Sequence, residues 1–316
     1  MTTALITHPD CLKHELPPGH PERPARLQYI LNTLGTAEFA GLIRREAPKA
    51  GLESLARAHS EAYVRDVLGS IPKSGFASLD SDTLASPGTG DAALRAAGAV
   101  IFAIDMIMAG EVKNAFCAVR PPGHHATPTQ AMGFCVFNNV AVGALHARAV
   151  HGLERIAVVD FDVHHGNGTQ DIFTPDAGLF YASTHQWPLY PGTGRVSETG
   201  IAHNVVNRPL PPGASGEEFR NAFETGVLPA LSSFRPDLLI ISAGFDAHLA
   251  DPLAQLRLEE DDFAWATAQI CAIAAKTCAG RVVSALEGGY DLDATARSAR
   301  AHVRALIAAG SGTVYG

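Results

Sequence analysis

No basic run, no closely spaced pair of cysteines and no long apolar stretch occurs in the 316 residues of this chain. Each absence removes a class of function. Lys and Arg number 24 against 32 Asp and Glu, a formal charge of 24 − 32 = −8. Without a basic patch, nucleic acid is not expected as a direct partner. The five cysteines, Cys11, Cys117, Cys135, Cys271 and Cys278, are odd in number, widely spaced and form no CxxC. They read as small residues in a reduced cytosol. The start, Met1 to His8, has no charged segment leading into an apolar one, so no secretory leader is expected. The most apolar segment, Ala96 to Ala109, is interrupted by Asp105 and is too short to span a bilayer. A cytoplasmic protein with no membrane partner is the expectation.

What is present is a chain with 47% hydrophobic residues, enough for a substantial core. Short apolar runs alternate with longer amphipathic ones. Strands are predicted at Leu5–His8, Ala115–Val119, Arg155–Phe161, Leu179–Thr184, Leu238–Ala243 and Val282–Leu286, each nearly continuous in Val, Ile, Leu and Ala. Helices are predicted at Pro21–Phe39, Glu61–Gly69, Thr89–Met108, Asn139–Val150, Ser215–Phe234, Glu259–Cys278 and Leu292–Ala308. Glu259-Glu260-Asp261-Asp262 puts acid at a helix start, where the dipole favours it. The alternation predicts an α/β fold with a parallel sheet covered on both faces. The Pro/Gly-rich stretches Leu16–Pro24, Pro188–Gly194 and Pro209–Gly216 read as loops, so residues 1–316 are expected to form a single domain.

The polar clusters follow a positional rule. Arg120-Pro121-Pro122-Gly123-His124-His125 follows one strand, and Asp160-Phe161-Asp162-Val163-His164-His165-Gly166-Asn167-Gly168 closes another. Ser183-Thr184, Asp246 and Tyr290 end three more. Open α/β sheets bind ligands at that carboxyl edge, so five segments should meet in one crevice. A lone Asp or His at a strand end is ordinarily a cap. Asp162, His164 and Asp246 together are instead the mixed N and O donor set of a catalytic zinc. Asp162 and His164, two apart on a strand end, should point the same way, and His165 the other way, as a structural hydrogen-bonder. His124 and His125 can supply proton transfer, and Tyr290, after Gly288-Gly289, an oxyanion donor. That set suits metal-assisted hydrolysis of an amide.

At these strings the chain resembles the zinc-dependent histone deacetylase superfamily, which includes bacterial acetylpolyamine amidohydrolases and acetoin-utilisation proteins. RPPGHH, DxDxHHGNGT, PGTG, GFD and EGGYDL occur in order from about His8 to beyond Tyr290, and their wording is closer to the class II branch. The resemblance implies the arginase/deacetylase fold, with a central parallel sheet of about eight strands. It implies one Zn2+ on Asp162, His164 and Asp246, a tandem catalytic pair at His124 and His125, and a transition-state tyrosine at Tyr290. Asp160 and Asn167 match the partners of the first and second histidine. Some relatives carry Asp where Asn167 stands; an amide there does not raise the histidine pKa, so His125 should be the readier base. Gly133, Phe134 and Tyr190 match the walls of the tunnel that holds the acyl-lysine stem. Asp82 is either a grip on the substrate backbone or a loop cap. Structural K+ is implied at Asp160, Asp162, His164, Ser183 and Thr184. A second K+ is implied near Phe173, Asp176, Leu179 and Asn204.

The resemblance implies removal of acetyl or a related acyl group from an acylated lysine or small acylated amine. Three alternatives stand beside it. A non-catalytic reader would be expected to lack Tyr290 or His125, and both are present. An arginase-type ureohydrolase with two manganese ions needs an aspartate two residues after Asp246, where this chain has His248. An acetylpolyamine amidohydrolase needs acid at the tunnel mouth. Polyamine-selective eukaryotic relatives place a glutamate after the Asp-Pro beyond the last zinc ligand; here Asp251-Pro252 is followed by Leu253. Glu22 and Asp82 are the acids left to supply negative potential at the rim. Bacterial polyamine enzymes use other loops and dimerisation, so a homo-oligomer stays open.

Overall fold

The strands at the centre of the sheet are buried at every position, which is why they read as apolar runs and not as alternating ones. A computed structural model of the chain describes residues 3–312. Its strands are β1 Thr3–Thr7, β2 Ile43–Glu46, β3 Ala77–Ser78, β4 Leu84–Ala85, β5 Asn114–Cys117, β6 Ile156–Asp160, β7 Leu179–Gln186, β8 Val205–Leu210, β9 Leu238–Ala243 and β10 Val282–Leu286. Among the described residues, eight of these form one sheet in the order β2-β1-β5-β10-β9-β6-β7-β8, parallel throughout. β3 and β4 pair as a short antiparallel ribbon.

The helices are α1 Pro24–Leu34, α2 Leu52–Leu55, α3 Glu61–Gly69, α4 Thr89–Met108, α5 Asn139–His151, α6 Asn167–Phe173, α7 Gly216–Ala222, α8 Leu228–Phe234, α9 Glu260–Thr277 and α10 Leu292–Ser311. Several helix starts carry side-chain caps. Asn138 accepts from Ala141 N–H, Asp291 from Ala294 N–H, and Glu259 and Asp262 close a capping box on α9. α4 packs with α5 against the sheet, and α10 packs between α1 and α9. Among the described residues, no helix is long and apolar enough to cross a membrane.

Two strands escape the apolar-run pattern. β2 reads Ile43-Arg44-Arg45-Glu46 and is mostly exposed; β8 alternates in burial and contains Pro209. Both are sheet edges, where one side of the strand needs no partner. The helix expected at Pro21–Phe39 is shorter, Pro24–Leu34, because Gly35 ends it and Ala37–Phe39 turn separately as 3₁₀. The helix expected at Ser215–Phe234 is divided by a π turn at Phe223–Val227, just before Pro229, which lacks an N–H to donate.

Candidate active site

Strands far apart in sequence become neighbours at the middle of the sheet: β5, β10, β9, β6 and β7 lie side by side. Their carboxyl ends lead into Arg120–His125, Glu287–Tyr290, Asp246 and Asp160–His164, with Ser183 and Thr184 near the end of β7. Ser183 pairs in register with Asp160. All the site segments expected at that edge therefore meet there.

β6 ends at Asp160, so Asp162 and His164 lie in the loop beyond it, and strand alternation does not aim them. Hydrogen bonds do. Asp162 N–H donates to Asp160 Oδ1 at 3.0 Å, His164 N–H to Asp162 Oδ1 at 2.8 Å, and Val163 N–H to Asp246 Oδ1 at 2.9 Å. Gly288 N–H donates to Asp162 Oδ2 at 2.8 Å. A Cβ at Gly288 would collide with the Asp246 and Asp162 carboxylates, so only glycine lets this turn approach.

Donor atoms of Asp162, His164 and Asp246 all fall within 4.8 Å of one another and are buried. His164 Nδ1 lies 3.2 Å from Asp162 Oδ1 and 3.1 Å from Asp246 Oδ2. Burial alone would lower the His164 pKa, yet the two carboxylates raise it to about 10. Two buried carboxylates around one nitrogen are a site that demands positive charge, and an N,O,O donor set fits zinc.

His124 Nδ1–H donates to Asp160 Oδ2 at 2.9 Å. Burial opposes its charge, but Asp162 and Asp160 outweigh burial and raise its pKa to about 10. His125 Nδ1–H donates to Asn167 Oδ1 at 2.8 Å, which leaves Nε2 free to accept a proton. Burial, then the charges of His124 and His164, hold its pKa well below the usual range. The ring centroids of the pair are 4.1 Å apart. One imidazole is thus kept charged and its neighbour neutral. His165 bonds Thr193 Oγ1 at 2.7 Å and Gln170 Oε1 at 2.9 Å, as a structural histidine should.

Sequence reasoning missed the groups behind this pair. Glu287 Oε2 accepts Gly123 N–H at 2.6 Å and His124 N–H at 3.2 Å, tying the histidine loop to the tyrosine turn. Burial raises its pKa to about 7. Tyr181 O–H donates to Asp160 Oδ2 at 3.0 Å. Such side-chain-to-backbone and cross-strand bonds have no periodic signature; the Glu of EGGY was the one available signal.

Tyr290 is buried beneath Arg26, whose guanidinium sits 4.8 Å from the phenol ring centroid. Arg26 also donates to the Gly289 carbonyl and, at 2.6 Å, to the Glu287 carbonyl. Glu22 corrects its expected role at the rim. It is fully buried and ion-paired to Arg26 and Arg120, so it is not an exposed acid. Asp251 Oδ1 accepts Leu253 N–H at 2.9 Å, which fixes the residue expected at the rim.

Gly133 and Phe134 both have positive φ, 57° and 67°. A Cβ at Gly133 would strike the His125 ring. Thr83 Oγ1 accepts Phe134 N–H at 3.1 Å, and Asp82 Oδ1 accepts Gly133 N–H at 2.9 Å, so Asp82 caps this loop. Phe134 lies edge-on to Tyr290 at 6.1 Å, while Tyr190 packs against His125 at 5.2 Å and His164 at 6.3 Å. The two aromatics thus border the catalytic cluster.

The second potassium set is also gathered. Asn204 Nδ2 lies 2.9 Å from the Phe173 carbonyl, 3.0 Å from that of Asp176 and 2.8 Å from that of Leu179. Three carbonyls converge on an amide with two hydrogens, while Asn204 Oδ1 is buried without a partner. At the first set, expected to use Asp160, the carbonyls of Asp162, His164 and Thr184 and the Ser183 hydroxyl, Ser183 Oγ bonds His185 Nδ1 at 2.9 Å.

Comparison with known proteins agrees with this geometry. A family model described as the histone deacetylase domain matches residues 20–306. A protein named probable deacetylase from Archaeoglobus fulgidus is 41% identical, over 93% of this chain and 82% of its own. A histone deacetylase-like amidohydrolase from Pseudomonas aeruginosa is 41% identical, over 86% of this chain and 73% of its own. The crystal structure of the HDA15 HD domain superposes with a TM-score of 0.91 at 36% identity, covering 99% of this chain and 92% of that one. Fold, motif order and similarity along the whole length converge: the chain belongs to the histone deacetylase family, with the arginase/deacetylase fold and the amidohydrolase chemistry of that zinc-dependent family.

Proposed function

We propose that the chain removes acetyl, or a closely related acyl group, from an acylated lysine or lysine-like primary amine. The observation that carries this substrate choice is the rim. Leu253, the residue after Asp251-Pro252, is 36% exposed and uncharged, Glu22 is sealed between two arginines, and Asp82 Oδ1 is taken up by Gly133 N–H and the Thr83 hydroxyl. A polyammonium substrate needs carboxylates at the mouth, whereas the neutral backbone around an acyl-lysine does not.

In this reading Asp162, His164 and Asp246 hold the zinc, which when bound polarises the amide carbonyl and acidifies water. His125, oriented by Asn167, takes the proton from the attacking water at Nε2 and delivers it to the leaving amine. His124, charged against Asp160, adds a fixed positive field. Tyr290 O–H donates to the oxyanion that forms on the substrate carbonyl. Phe134 and Tyr190 flank the alkyl stem and exclude water; Gly133 lets the wall approach His125. Potassium suits the set around Asp160, Asp162, His164, Ser183 and Thr184, and the three carbonyls of Phe173, Asp176 and Leu179 beside Asn204. The five buried, unpaired cysteines suit a reducing cytoplasm.

The test is one panel on one preparation: acetyl-lysine peptides, longer acyl-lysines and acetylspermidine. Acetyl-lysine substrates should show the higher kcat/KM. A clear preference for acetylated polyamine that Leu253→Glu leaves unchanged would overturn the substrate reading. Asp162→Ala should lose both metal and turnover while keeping its helical circular dichroism.

A further inference from the structure

Away from the sheet edge, a second set of ligand-type side chains meets between α4 and α5. Asp105 Oδ1 lies 2.7 Å from His146 Nε2 and 2.7 Å from His151 Nε2. The three donor atoms fall within 4.8 Å of one another. His146 and His151 are five residues apart on α5, about 140° around the helix axis, so no helical repeat groups them. The carboxylate on α4 does.

Two imidazoles and one carboxylate are donors of the type that take zinc and its borderline neighbours. Position favours a cation as well. His151 is the last residue of α5, where the helix dipole is negative. The Asp105 side chain is 41% exposed and that of His151 21%, so the cluster opens to solvent.

Arg57 sets the terms on which His146 can ligate. Its Nη1 lies 3.4 Å from His146 Nδ1. Arginine only donates, so Nδ1 is the acceptor and Nε2 carries the proton that faces Asp105. A cation at Nε2 displaces that proton and leaves Nδ1–H facing Arg57, which then keeps its other partners, Glu53 Oε1 at 3.0 Å and Ser54 Oγ at 3.4 Å. Metal-bound histidines normally direct their second N–H at an acceptor, so Arg57 weakens this ligand.

We propose that Asp105, His146 and His151 form a surface site for a second divalent cation of the zinc class, with Arg57 limiting its affinity. The site is separate from the chemistry, and its readout is the difference in metal content between wild type and variants. That difference does not depend on how the metal at Asp162, His164 and Asp246 is assigned.

The experiment uses the full chain, brought to constant metal content and then dialysed against micromolar Zn2+. Wild type should take up one further equivalent. His151→Ala and Asp105→Asn, both at partly exposed positions, should each weaken that uptake at least tenfold, on the order of the losses seen when a metal site is disturbed. Turnover of an acetyl-lysine peptide and the pre-existing metal should stay at wild-type levels in both. Arg57→Ala should bind the further equivalent more tightly. No additional uptake by wild type, or full uptake by both ligand variants, overturns the site. Unchanged affinity in Arg57→Ala overturns the role given to the arginine.

Discussion

Asp251 Oδ2 accepts the backbone N–H of Tyr290 at 2.7 Å, while its Oδ1 accepts that of Leu253 at 2.9 Å. One buried carboxylate therefore joins the tyrosine turn to the Leu253 segment proposed as the rim. Asp251→Asn puts an NH2 against one of the two N–H groups, which costs on the order of 1–3 kcal/mol locally. We expect kcat to fall about tenfold with KM within a few-fold. Steady-state kinetics on an acetyl-lysine peptide checks this, and a change confined to KM would mean that only the rim had moved.

Tyr290→Phe removes a single hydroxyl. Loss of one oxyanion donor typically lowers kcat by about 10²–10³. Substrate binding should change little, because that bond strengthens in the transition state. A variant within a few-fold of wild type would show that Tyr290 only packs against Arg26 and Phe134.

The acid limb of the pH–rate profile should report His125. Burial, with His124 and His164 beside it, lowers its pKa, so the base form persists into acidic solution. Asn167→Asp puts a negative charge at Nδ1, favours the protonated ring and moves the acid limb to higher pH. An acid limb that stays in place would remove Asn167 from the relay.

Glu22 makes a stability prediction with a defined sign. Burial opposes its ionisation, but Arg120 and Arg26 prevail and lower its pKa from 4.5 to about 2. The unfolded chain takes up the proton first as pH falls. The contribution is therefore complete above pH 4.5 and is lost as pH falls through about 2. Glu22→Gln leaves two arginines without their buried counter-charge, a loss of about 3–5 kcal/mol. Thermal melts at pH 7 should show a Tm lower by roughly 5–10 °C. The gap between variant and wild type should close as pH approaches 2.

Sequence legibility followed burial. β9 and β10 occupy the ranges their apolar runs predict, because each is buried along its length, and α4 at Thr89–Met108 fills its predicted range because one broad face of it is buried. β2 was illegible because an edge strand with one apolar residue has no run to detect, and Pro209 argued against β8. The site divides in the same way. His124, His125, Asp162, His164, Asp246 and Tyr290 stand in local strings, and the sheet brings them to one edge. Glu287, Asp251 and Arg26 act through backbone atoms more than a hundred residues away, or across a loop, and no local pattern records such pairings. His146 and His151 were invisible for a related reason: Asp105, on another helix, makes them a set.

The polar outer strands have a consequence for assembly. β2 turns Arg44, Arg45 and Glu46 outward, and β8 interrupts its free side with Pro209. Neither border offers a clean row of unpaired amides to another chain, so the sheet does not lengthen from one molecule into the next. That leaves helices and loops as the surfaces on which two copies could pair. By the same account, neither border of the eight-stranded sheet presents the uncharged, proline-free apolar segment from which cross-β stacking starts.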